Sequence, residues 1–75
     1  MEVNKILEKL NQRCTDTLNV YKVYIAYKRR RQDYDEMNKV VDLASIYLMA
    51  LLDAEILSEE EHDLLYDYII FWEVD

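Results

Sequence analysis

Five consecutive residues, Glu59, Glu60, Glu61, His62 and Asp63, are all titratable, and Asp67 follows four positions later. Such a run can serve acid–base catalysis, or it can present an array of fixed negative charge. Catalysis needs further groups. The chain has one histidine, one cysteine (Cys14) and two serines (Ser45 and Ser58), with no glycine to build a nucleophile turn. Nothing in the sequence implies a pocket, so no catalytic residue and no enzymatic activity are expected. One cysteine and one histidine also fall short of a structural zinc set, so neither a metal nor a cofactor is expected. His62 itself reads as an exposed side chain.

The array is the stronger reading. Glu60, Asp63 and Asp67 step by three and four residues, a rise of about 4.5 and 6 Å on a helix. Asp35, Asp42 and Asp53 lie within about 20° of one line on another helix. Carboxylates at such intervals can stand in for the phosphates of a nucleic-acid strand and address a basic channel or groove. The residues expected to bind a partner in this way are Asp42, Asp53, Glu59, Glu60, Glu61, Asp63 and Asp67.

A basic cluster opposes this array. Lys22, Lys28, Arg29, Arg30 and Arg31 are interleaved with Tyr21, Tyr24 and Tyr27, a pattern that also fits a nucleic-acid-binding strip. Four successive bases point around more than one helix face, however, and a net charge of −7 repels a polyanion at long range. Direct nucleic-acid binding through residues 22–31 is therefore disfavoured. Lys28, Arg29, Arg30 and Arg31 with Tyr24 and Tyr27 are expected to clamp the acidic half of the same chain or of a second copy. The signs are separated along the sequence. Residues 1–32 hold eight of nine bases and three of sixteen acids, and residues 33–75 hold Lys39 and the other thirteen acids.

Helices must position both sets. The chain contains no Gly and no Pro, which removes the usual residues of tight hairpins and the usual helix breaker. Val3, Ile6, Leu7, Leu10, Cys14, Leu18 and Tyr21 follow one helical face, predicting a first helix over about 2–31, roughly 45 Å if continuous. A break is expected near Thr15-Asp16-Thr17, where short polar side chains compete for the backbone. Asp33 and Glu36 have the spacing of a capping box ahead of a second helix, 34–54. That helix is apolar nearly all round, so it should be buried on more than one side, either centrally or across a dimer interface. Ser58 and Glu61 form the clearest capping box and open a third helix, 59–72. The expected fold is all-α, a single domain over 1–75, built as a small three-helix bundle or an elongated helical homodimer. Cys14, in line with the first apolar face, is expected to be a small buried hydrophobe.

The composition sets further bounds. A chain of 75 residues is near the limit of independent stability, and with Cys14 alone it can form no intrachain disulfide, so close packing or self-association must supply the difference. The longest apolar run, 46–52, is far shorter than the roughly 20 residues that span a bilayer. Residues 1–5 lead into alternating charged and apolar positions, unlike a secretory leader, and a cytoplasmic location with no membrane partner is expected.

The segment Leu51–Glu61 resembles the helix–turn–helix of small bacterial and phage helical modules, including short C-terminal oligomerisation domains, with Glu55 where those usually carry Gly. In length, all-helical composition and acidity the chain resembles, as a class, the small acidic host-takeover proteins of bacteriophages, some of which are DNA mimics. One type fills the channel of the bacterial sliding clamp. The likeness carries no individual site residue across. It implies a dimeric inhibitor that acts in the host cytoplasm on a basic, DNA-binding host protein. The alternatives are a helical oligomerisation or adaptor module, and a nucleic-acid binder using residues 22–31.

Overall fold

A computed structural model describes residues 2–74. It contains four helices, α1 (Val3–Lys9), α2 (Gln12–Arg30), α3 (Tyr34–Asp53) and α4 (Glu59–Phe71). The chain is all-helical as expected, with four helices instead of three. The expected first helix divides at Leu10–Asn11, not near Thr15. Leu10 takes an extended conformation, and the Asn11 side chain accepts a hydrogen bond from the Cys14 N–H, capping α2. The residues expected to break the helix are absorbed into it. Thr17 Oγ1 donates back to the Arg13 carbonyl, and Asp16 accepts from Gln12.

The physical reason for the early break is burial. A continuous helix of about 45 Å would exceed the longest dimension of the molecule, 34 Å. Its first turns would then carry Ile6 and Leu10 beyond the reach of any partner. Bending at Leu10 lays α1 against α4 and buries both side chains.

Helices α2, α3 and α4 pack mutually around Leu18, Ile25, Ala44, Leu48, Leu51, Leu65 and Ile69, with Ile6, Leu10, Leu57 and Ile70 closing the ends. Tyr21 of α2 meets Tyr47 of α3 edge-to-face, with ring centroids 6.0 Å apart, which sets the register of that antiparallel pair. Cys14 is half-buried beside this core.

Both sharp turns are made without glycine. Gln32 and Glu55 each adopt φ 61°, the left-handed region that costs a residue with a Cβ about 1 kcal/mol or more. Each turn recovers the orphan carbonyls of the helix before it. Asp33 N–H donates to Lys28 O and Gln32 N–H to Arg29 O; Ile56 N–H donates to Leu51 O and Glu55 N–H to Leu52 O. These are paired 6→1 and 5→2 bonds of the Schellman type. Glu55 thus makes the turn that Gly usually makes. The Asp33–Glu36 box forms only half. Asp33 accepts from the Glu36 N–H, while the Glu36 carboxylate turns to Lys39 at 3.0 Å.

Candidate functional site

The acidic array divides in two when folded. On α4 the capping box is complete. Ser58 Oγ accepts from the Glu61 N–H at 3.2 Å, and Glu61 Oε1 accepts from the Ser58 N–H at 2.9 Å. The other Glu61 oxygen receives Lys9 Nζ at 2.5 Å. Glu61 is consequently 7 % exposed, and it departs from the expected partner-binding set because its carboxylate is occupied within the fold. The Lys9 ammonium, followed by the Ser58 N–H, holds its pKa below the ordinary 4.5.

The sign of the resulting pH dependence follows. A carboxylate whose folded pKa is depressed stabilises the fold at pH values above the unfolded pKa, and the contribution is lost as pH falls through the folded value. Glu61→Gln should therefore be less stable than the native chain near neutrality. The gap should close on acidification below about pH 4, measured by urea denaturation across pH. A gap that stays constant would show that the Glu61 charge is immaterial.

Glu59, Glu60, Asp63 and Asp67 remain exposed. Glu60, Asp63 and Asp67 form one outward line on α4, opposite Leu65 and Ile69, over about 10 Å of rise. Asp63 lies 3.1 Å from His62 Nδ1. The imidazole is half-buried, contrary to the exposed position expected, because it stacks on Tyr66 with centroids 6.2 Å apart. Asp42 and Asp53 are exposed on α3, about 16 Å apart along the axis.

Within the basic cluster, Arg29 reaches the acidic half of the chain through backbone carbonyls, Lys22 through Tyr68 and Trp72, and Lys28 through Asp33. Arg29 donates from Nη1 to Trp72 O at 3.1 Å and from Nη2 to Ile70 O. It thereby satisfies the end of α4, where Trp72 is the C-cap and no basic residue stands in the last turn. Lys22 donates to the Tyr68 hydroxyl at 3.0 Å and sits over the Tyr68 and Trp72 rings at 4.8 and 4.4 Å. Lys28 lies 3.6 Å from Asp33 and over the Tyr24 ring. Arg30 and Arg31 stay exposed, as do Tyr24 and Tyr27. Tyr24, Tyr27, Val20, Lys28 and Arg31 edge an open hollow of about 500 Å³ along α2.

Sequence reasoning did not single out Lys9, and it expected α3 to be buried on more than one side, whereas within the single chain its outer face is open. Lys9 is 52 residues from its partner, so no local pattern announces the pair. On α3, Leu43, Ile46 and Met49 are 53, 68 and 48 % exposed. The all-round apolar character of this helix was the available signal, but it did not say which side would stay open. Among the described residues no group of three or more His, Cys, Asp and Glu is placed to hold a metal ion. No helix among them is long and apolar enough to cross a membrane.

Compared with known protein families, characterised proteins and solved structures, the chain matches none.

Proposed function

We propose that this chain is a small, non-catalytic, acidic interaction protein that inhibits a DNA-binding protein by occupying its basic channel or groove in place of DNA. The bacteriophage host-takeover class is the setting that its size and acidity fit. The observation that carries the reading is the outward line Glu60–Asp63–Asp67 on α4, flanked by Glu59. Five of the nine bases, Lys9, Lys22, Lys28, Arg29 and Lys39, are engaged elsewhere in the fold. Among the described residues no Lys or Arg is paired with Glu60, Asp63 or Asp67, and Asp63 contacts only the His62 imidazole. Carboxylates on a helix also keep their spacing when a partner approaches, which favours electrostatic steering onto a positive surface.

A second reading, the helical oligomerisation or adaptor module, is favoured by the apolar outer face of α3. Nucleic-acid binding by residues 22–31 is weakened by the engagement of Lys22, Lys28 and Arg29 inside the fold, which leaves Arg30 and Arg31 as the free cations of that segment.

Salt and competition separate these readings. The immobilised protein should capture a basic DNA-binding protein from bacterial lysate at low salt and release it at high salt. Duplex DNA should compete for the captured protein. The triple substitution Glu60→Gln, Asp63→Asn, Asp67→Asn should abolish capture, while Glu61→Gln, which alters an inward-facing carboxylate, should retain it. Capture that survives the triple substitution, or that DNA does not compete away, defeats the mimic reading. A direct shift of labelled oligonucleotide by the protein would instead favour the basic segment.

A further inference from the structure

The outer face of α3 is self-complementary when the helix is reversed. Lys39, Ile46 and Asp53 are spaced seven residues apart and so fall close to one line. Ile46 is the most exposed large apolar side chain of the described residues, and Asp53 is also exposed. Lys39 lies 3.0 Å from Glu36, but its side chain is 70 % exposed and its ammonium has further donors for a second carboxylate. Lys39 is the only base in residues 33–75. Reversal about Ile46 brings Lys39 opposite Asp53, Leu43 opposite Met49, and Ile46 opposite itself.

We propose that two copies of this chain associate through antiparallel α3 helices, with the twofold axis at Ile46 and Lys39 of each copy paired with Asp53 of the other. Such an interface is isologous and closes at a dimer. The near-heptad spacing suits a shallow crossing of about 20°. Beside Ile46, the small Ser45 and Ala50 leave a shallow hollow of about 400 Å³ that also reaches Met49 and Asp53, a shape that accepts a knob from the facing helix.

The charge order argues for a second copy over an unrelated apolar partner. A parallel pair would set Lys39 against Lys39 and Asp53 against Asp53, so the sequence rejects that orientation as well as favouring the reverse. One helix strip is less than the roughly 800 Å² per partner of a standard interface, but α2 extends it. Tyr21 meets Tyr47 across the α2–α3 pair. Tyr24 lies one turn beyond Tyr21, and Leu43 one turn before Tyr47. These two exposed residues therefore share the same outer edge. The dimer does not depend on the mimic reading, because it buries α3 and leaves the α4 line free.

Sedimentation equilibrium of the intact chain should show a reversible monomer–dimer equilibrium in the micromolar range, on the order of −8 kcal/mol. Orientation is read by single-cysteine crosslinking in a Cys14→Ser background. Ile46→Cys should form an intermolecular disulfide readily under mild oxidation. Lys39→Cys and Asp53→Cys should not, since position 39 lies about 21 Å from its own counterpart along an antiparallel seam, beyond disulfide reach. A chain that stays monomeric, or that crosslinks at 39 or 53 as fast as at 46, overturns the proposal. If the Cys14→Ser background fails to fold, charge reversal replaces it. Lys39→Asp and Asp53→Lys should each lose association at least about tenfold, and an equimolar mixture should restore it. Singles that associate like the native chain overturn the proposal equally.

Discussion

Leu48→Ala is expected to remove a large share of the stability of this chain. The Leu48 side chain is fully enclosed between α2, α3 and α4, so truncation loses its transfer free energy and leaves a cavity, together about 3 kcal/mol. A domain of this size has roughly 4–11 kcal/mol in all. The corresponding fall in melting temperature is about 12–24 °C. Ile46→Ala, two residues away on the same helix, should change the monomer by less than about 0.5 kcal/mol, because Ile46 already faces solvent. Thermal melts at low protein concentration, where self-association is negligible, make the comparison clean. Similar losses at 46 and 48 would mean that α3 is rotated from the orientation described.

Arg29→Ala is expected to cost about 2 kcal/mol, since two charge-assisted hydrogen bonds to the end of α4 are lost. In a chain of 75 residues that lowers the melting temperature by roughly 8–16 °C. Trp72, the only tryptophan, reports the change directly. Its fluorescence should shift to longer wavelength as the C-terminal turn loosens from Lys22 and Arg29. Arg29→Lys should rescue little, because one ammonium cannot reproduce a guanidinium fork reaching two carbonyls. Arg30→Ala and Arg31→Ala, at exposed positions, should be near neutral. The acceptors are carbonyls and not carboxylates, so the Arg29 effect should depend only weakly on salt. Equal losses at 29, 30 and 31, with strong salt dependence, would restore a clamp based on charge.

Much of the local structure was legible in the residues. Ser58 and Glu61 announced the start of α4, and the turn before it held even with Glu55 in the glycine position. The bounds of α3 and α4 lie within a residue of the expected ones, because caps and turns are local events. The break at Asn11 was not read, although asparagine is a strong N-cap. The break was expected at Thr15-Asp16-Thr17, whose short polar side chains also compete for the backbone. The choice depended on where Ile6 and Leu10 could be buried, a matter of distance to α4.

The candidate site follows the same division. Glu60, Asp63 and Asp67 face outward because their spacing places them opposite Leu65 and Ile69, which the helical period already required. Glu61 has the same chemistry and is lost to the array through a lysine 52 residues away. Arg29 became a cap for α4 through carbonyls about 40 residues away, and no charge pattern in sequence marks a backbone acceptor.

The sequence by itself thus determined an all-helical chain, the caps that start its later helices, and the segregation of acid from base. These follow from propensity, period and composition, which act over a few residues. Only the tertiary structure decided that the first helix is two, that Glu61 and Arg29 serve the fold, and that the side of α3 carrying Leu43, Ile46 and Met49 is left uncovered. An apolar helix can bury any side. Which one it buries depends on where α2 and α4 come to rest against it, and the open side is set by what those neighbours leave unfilled.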